Sequence, residues 1–375
     1  MLKKIFLVIF SLLFGIICMI CISKFSSISL FGKSKPVVIG FLPYWLINKN
    51  KTDYTQFLSS ISYFSLTINA DGTLQRLTKP TETEPGWLSL GKMSSILDSF
   101  KKKKLHSSLV VFCADQENIS QLIENPIIHA TNLVREVAPI ITKYGFTDLN
   151  LDIESVSLAS DSARKNFTLF TKTVHEQIQK YDKSITLSID VSPTALIRPY
   201  LVDISSISSF IDKIIFMTYD FHYQGSSVTG AVAPINGAGK TAEYDTETSI
   251  KEALKVLPPE KIVLGVPLYG YEWETLLGYP SAAVIPGTGI TASNKRVEIL
   301  LSSCASCSAQ FDPISKETYV IYKDQATNTF HQIFYPDKKA IQAKIELMKK
   351  YDLGGIALWA LGYEGNTILD PLRNL

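Results

Sequence analysis

The stretch "GFTDLNLDIES", residues 145–155, constrains the fold of this chain more than any other. Leu149, Leu151 and Ile153 alternate with Asn150, Asp152 and Glu154, the two-residue period of a strand whose faces differ in chemistry. An ionised carboxylate is costly to desolvate without a partner, so a plain core strand should not carry two of them inward. An inward salt bridge would account for the pair of carboxylates. A strand ending in an active-site mouth would account for the whole polar series.

The rest of the chain favours the second explanation. Eight apolar, β-branched runs follow one another: 37–42, 61–66, 107–112, 148–153, 184–190, 213–219, 261–266 and 354–360. Helical patterns lie between most of them, over 90–103, 128–144, 161–181, 246–257 and 337–351. Strand alternating with helix predicts parallel pairing, and eight such units predict a closed (β/α)8 TIM barrel. The spacing breaks once, between strands seven and eight. There "TYVIYKD" and "HQIFYP" flank the polar "QATNTF", which predicts a small α+β insertion over 272–336 on the barrel rim. In a barrel the outer face of each strand packs on helices, while the inner face rises toward the mouth at the strand's C-terminal end. Asn150, Asp152 and Glu154 therefore point inward, with Glu154 at the top.

The N-terminus is of another kind. Lys3 and Lys4 precede an uncharged, mostly apolar run from Ile5 to Ile22, and no alanine occurs before Ala70. The run exceeds the usual signal-peptide core of about 7–15 residues and lacks its small-residue cleavage pattern. Residues 1–23 are expected to be an uncleaved anchor in the cell membrane, with a cleaved signal as the alternative, and 24–35 a tether to the extracellular domain 36–375. With 37 basic against 35 acidic residues, nothing suggests a nucleic-acid partner. A monomer is expected. Cys304 and Cys307 form a CxxC without two further ligands at metal spacing, so a local disulfide or free thiols are expected and no metal.

The strand motifs together resemble glycoside hydrolase family 18, the chitinase-like barrels. The family's fourth strand carries D-G-x-D-x-D-x-E, and Asp152 and Glu154 match its end, while Thr147, Asp148 and Asn150 depart from it. The Asn form resembles a bacterial branch that includes spore-cortex and cell-wall glucosaminidases. "VVIGFLPYW", "MTYDFH", "LGVPLYGYEW" and "GGIALWALGYEG" resemble the family's first, sixth, seventh and eighth strand motifs, in family order.

The resemblance implies retaining hydrolysis of β-1,4-linked N-acetylglucosamine polymers, chitin-type or peptidoglycan, assisted by the substrate's own acetamido group and without a cofactor. It implies Glu154 as general acid and base, Asp152 as the group that orients the acetamido, and Tyr219 and Asp220 as its hydrogen-bonding neighbours. Trp359 would floor the reacting ring. Met217 and Asn150 fall within the matched motifs, and Tyr44, Trp45, Tyr269 and Trp273 are candidate stacking residues. His222 is a candidate to line the cleft beside Asp220. Asn150 can donate a hydrogen bond but cannot take up charge, unlike the aspartate of the usual motif, where that residue shares a proton with its neighbour. The competing class is a lectin-like barrel that binds sugar without cutting it, but such members typically lack the acid at the position of Glu154. A barrel of unrelated chemistry is disfavoured, because no phosphate-binding glycine pattern or metal-ligand set is visible.

Overall fold

The computed structural model describes residues 35–49 and 52–375. The anchor expected over 1–23, and nearly all of the tether, lie outside the described residues. Among the described residues no helix is long and apolar enough to cross a membrane.

Eight parallel strands close into a barrel: β1 (Val37–Pro43), β2 (Ser60–Thr67), β3 (His106–Cys113), β4 (Asp148–Ile153), β5 (Thr186–Val191), β6 (Lys213–Phe216), β7 (Ile262–Pro267) and β8 (Gly355–Trp359). Each neighbours its successor, and β8 pairs with β1 to remove the sheet edges. All eight lie where the apolar runs predict them. β6 stops at Phe216, so Met217, Thr218 and Tyr219 stand above the ladder instead of within it.

The pleat divides the core in two. Leu149, Leu151 and Ile153 face outward into the main apolar shell, with Val134, Val137 and Ile141 of the helix Pro126–Tyr144 and Phe167, Phe170 and Val174 of the helix Asp161–Tyr181. Both helices are set by their ends. Gly145 takes a left-handed φ of 72° after the first, and Ser160 Oγ accepts from the Ala163 N–H at the start of the second. Inside the barrel a smaller cluster of Ile39, Phe41, Phe64, Val110, Ile215, Val263 and Ala357 fills the side away from β4 and β5. Polar side chains fill the remainder.

Between β7 and β8 stands a second sheet of five antiparallel strands, in the order Ile290–Ser293, Tyr269–Thr275, Phe330–Tyr335, Glu317–Lys323, Ala309–Asp312. The helix Asn294–Ser303 packs with it, and a disulfide joins Cys304 to Cys307 just beyond that helix. The first strand of this sheet begins at Tyr269, almost directly after β7, so a continuous run of backbone leads from barrel to insertion.

Leu151 is fully buried between barrel and helices, whereas Ile128 on the helix Pro126–Tyr144 is 61 % exposed. Leu151→Ala should cost about 2–5 kcal/mol in urea unfolding, because the barrel wall cannot collapse into the space. Ile128→Ala should stay within about 0.5 kcal/mol. Equal effects would contradict the division of faces.

Candidate active site

The inner faces of β4 and β5 meet in register, with Asp148 opposite Thr186 and Asn150 opposite Ser188. The ladder ends at Leu151 opposite Ile189, and Asp152 and Asp190 follow it on their two strands, near enough for Asp190 to raise the Asp152 carboxyl. These two carboxylates are only 3 % and 5 % exposed. Asn150 Nδ2 donates to Ser188 Oγ and to Asp190 Oδ1, each at 3.0 Å. Below it, Asp148 accepts from Ser108 Oγ at 2.6 Å, Ser188 Oγ at 2.7 Å and Thr186 Oγ1 at 2.6 Å. A ladder of polar groups thus climbs the barrel interior from Asp148 to Asp152. Asp152 Oδ1 is buried with no hydrogen-bond partner.

Glu154 follows at the top of β4, half-buried. Its backbone is held on both sides: its N–H donates to the Cys113 carbonyl at 2.8 Å, and its carbonyl accepts from Gln116 Nε2 at 2.9 Å. Gln116 Oε1 also accepts from the Val156 N–H at 3.2 Å, so one side chain staples the chain where it leaves the strand. Asp152, Glu154, Asp190, Met217, Tyr219, Asp220 and Trp359 all line one cavity of about 420 Å³. Such a volume suits a ligand the size of a sugar residue with a substituent. Trp359 forms the aromatic side, its ring 4.6 Å from Phe64 and 6.1 Å from Phe41 by centroid, edge to face.

Ile215 of β6, the segment Met217–Asp220 that follows it, and Gly265 of β7 continue the lining away from β4. Asp220 has a φ of 59°, a left-handed conformation that is uncommon outside glycine. Two phenols hold its carboxylate there: Tyr269 Oη donates to Oδ1 at 2.6 Å and Tyr271 Oη at 3.0 Å. Beside it, Thr218 Oγ1 donates to the Gly265 carbonyl at 2.7 Å. A Cβ on Gly265 would lie 2.4 Å from the Phe216 carbonyl oxygen and 3.1 Å from the Tyr219 ring. Glycine at this point of β7 is what lets Tyr219 reach the cavity.

No lysine, arginine or histidine lines this cavity. Burial therefore acts on its acids with little relief. The Asp152 carboxyl is pushed well above the ordinary range by desolvation, then by Asp190 and Glu154. Asp190 is raised by desolvation, although the Asn150 hydrogen bond opposes the shift. Glu154 is raised by desolvation and by Asp220. The Tyr219 phenol is raised by desolvation and by the surrounding acids, so it stays neutral and can donate. The arrangement can hold a protonated carboxyl at the mouth and negative charge beneath it, the two requirements of acid catalysis with a developing cation. Among the described residues, no group of three or more His, Cys, Asp or Glu side chains is arranged to hold a metal ion.

Of the residues singled out in the sequence, Asp152, Glu154, Met217, Tyr219, Asp220 and Trp359 share the cavity, and Asn150 supports it from below. Tyr269 acts through its hydroxyl on Asp220 and is 5 % exposed, so it offers no free face for stacking. Trp273 is fully buried in the inserted sheet, against Tyr271 and Phe334, with Nε1 donating to the Tyr223 carbonyl at 3.2 Å. It is a core residue there and not a stacking surface, because the packing of Ala231, Val232, Tyr271 and Phe334 with it leaves none of the side chain exposed. His222 is likewise buried, its Nδ1 on the Ala231 carbonyl at 2.8 Å. Tyr44 lies outside the cavity lining, edge-on to Trp45, which is 41 % exposed and 6.5 Å from Trp359. Sequence reading missed Asp190, Gln116 and Tyr271. Asp190 carried a signal: in "TLSID", Ser188 and Asp190 alternate with Leu187 and Ile189 just as Asn150 and Asp152 do on β4.

The profile described as "Glycosyl hydrolases family 18" matches residues 37–364. A curated relative, the cortical fragment-lytic enzyme of Bacillus cereus, is 25 % identical over 314 residues, covering 82 % of this chain and 65 % of that protein. The chain thus spans just under two thirds of that relative's length. Among solved structures, the Bacillus cereus spore cortex-lytic enzyme SleL superposes with a TM-score of 0.70 at 22 % identity, over 92 % of this chain and 75 % of that one. An Ostrinia furnacalis Group IV chitinase in complex with allosamidin superposes with a TM-score of 0.76 at 21 % identity, over 91 % of this chain and 98 % of that one.

Asp148 makes the electrostatics measurable apart from any activity. Desolvation raises its carboxyl to about 6 against three hydroxyl hydrogen bonds. Its contribution to stability is complete below the ordinary aspartate range and is lost as the pH rises through about 6. Wild type should therefore gain resistance to urea as the pH falls from about 7 to about 4.5, and Asp148→Asn should gain less. Identical pH slopes in the two proteins would contradict a strained acid at this position.

Proposed function

Because the chain belongs to glycosyl hydrolase family 18, we propose that it is a glycosidase that cleaves β-1,4-linked N-acetylglucosamine polymers with retention of configuration. The observation that carries this reading is the convergence of Asp152, Glu154, Tyr219, Asp220 and Trp359 on one cavity. Trp359 takes the apolar face of the pyranose. Tyr219 Oη donates to the acetamido carbonyl oxygen, and Asp152 accepts from the acetamido N–H. Thus oriented, the carbonyl oxygen attacks the anomeric carbon, while Glu154 gives its proton to the departing glycosidic oxygen. The ring-closed oxazolinium intermediate is stabilised by the carboxylate beneath it. Glu154, now ionised, takes a proton from water, whose oxygen opens the intermediate and restores the starting state. The acid's raised titration favours the first half of that cycle, and the ionised form left behind serves the second. Asp220 contributes charge beside the sugar, held in place by Tyr269 and Tyr271.

The substrate we favour is peptidoglycan glycan of the organism's own wall. The names of the cortical fragment-lytic and spore cortex-lytic relatives support this choice, as does Asn150, whose form of the motif resembles that of a bacterial wall-directed branch. The apolar run 5–22 fits a role as an external membrane anchor that would keep the barrel near such a substrate. Chitin-type polysaccharide is the second reading, supported by the fold shared with the chitinase.

Incubating the soluble domain with chitin oligomers and with purified peptidoglycan, then identifying products by mass, tests both. Fragments ending in reducing N-acetylglucosamine, released first as the β-anomer, are expected. Glu154→Gln should lower the rate by on the order of 10²–10⁴ while binding persists. Equal binding by both proteins with no release from either would instead mean a sugar-binding barrel.

A further inference from the structure

Asp152 and Asp190 form a pair that nothing else in the site explains. They are the next residues on adjacent strands after the last register pair, Leu151 with Ile189, both deeply buried, and they line the same cavity. The charged and titratable groups that face them are Asp148 and Glu154 from β4, with Tyr219 and Asp220 beyond β6. All are acids, and no cation is among them. Two desolvated carboxylates without a cation cannot both remain ionised, so one proton stays with the pair. The hydrogen bonds agree. Asn150 has spent its amide protons on Ser188 Oγ and Asp190 Oδ1, and Asn150 Oδ1 and Asp152 Oδ1 are both buried without a donor. A proton held between the two carboxyls supplies the one at Asp152.

We propose that Asp190 is a positioning residue that holds the proton shared with Asp152, from the neighbouring strand, in the role that Asn150 cannot fill. The inference rests on the reading of this site as a glycosidase centre. Asn150 fixes Asp190 by one oxygen and leaves the other to meet Asp152. The shared proton stays with the pair throughout; the proton that reaches the leaving group comes from Glu154. Asp152 can thus carry negative charge beneath the developing cation without facing a second bare carboxylate. The carboxyl has in effect moved one strand sideways while keeping its place in the barrel interior.

Two measurements test this, one independent of substrate. At about pH 8, above the ordinary titration range of carboxyls, infrared spectra of Glu154→Gln, in which the acid at the mouth is removed, should still show a protonated carboxyl that disappears when Asp190→Asn or Asp152→Asn is added. With substrate, Asp190→Asn should lower kcat by on the order of a hundredfold with KM changed less than about threefold. The exchanged variant Asn150→Asp/Asp190→Asn, which returns the carboxyl to β4, should recover most of that loss. A carboxyl band that survives Asp190→Asn in the Glu154→Gln background, or an exchanged variant as slow as the single one, would overturn the proposal. A band present as expected, with a wild type that releases no sugar, would overturn the glycosidase reading and leave the shared proton standing.

Discussion

Removing acids from water without supplying a cation is the constraint around which this barrel is arranged. Asp148, Asp152 and Asp190 rise along the inner faces of β4 and β5, where Asp148 accepts from three hydroxyls and Asp190 from the Asn150 amide. Such an arrangement is expensive in free energy, and an apolar interior would hold the fold at least as well. The apolar half exists: Ile39, Phe41, Phe64, Val110, Ile215, Val263 and Ala357 fill the opposite side of the same barrel. The polar half is therefore kept for chemistry, where raised acids and a neutral phenol are useful.

The two parts of the molecule divide the work. The barrel sets the height of each group through the pleat, so Asn150, Asp152 and Glu154 take successive steps toward the mouth. The inserted sheet adds what the barrel cannot reach. Its first strand carries the two hydroxyls that hold Asp220 in a left-handed conformation, and its buried Trp273 anchors the strand that presents them. A side chain deep in the insertion can thus affect a group in the cleft without touching substrate.

Much of this was legible in the sequence because it is written in short periods. Eight apolar runs mark the eight barrel strands, and the alternation from Leu149 to Glu154 assigns two acids to the interior. What escaped was relational. Asp190 alternates with Ile189 as Asp152 does with Leu151, but only the lateral register of β4 with β5 shows that the two acids are neighbours. Gln116 acts on Glu154 through backbone groups across 38 positions, a link that no local pattern encodes. Trp273 was misjudged for the opposite reason: an aromatic in a motif-like run looks equally suited to a cleft or a core, and burial alone decides. β6 ended early because Met217 to Tyr219 leave the ladder to reach the cavity, whereas their sequence still reads as strand.

Sugar cleavage of this kind requires a pyranose bearing an acetamido group to sit between β4 and the Trp359 ring. A crystal structure of Glu154→Gln with a chitin oligosaccharide tests it most directly. We expect one ring stacked on Trp359, its acetamido oxygen on the Tyr219 hydroxyl and its amide within hydrogen-bond reach of Asp152. Sugar bound elsewhere on the barrel, or a ring in this cavity with its acetamido turned away from those two side chains, would contradict it.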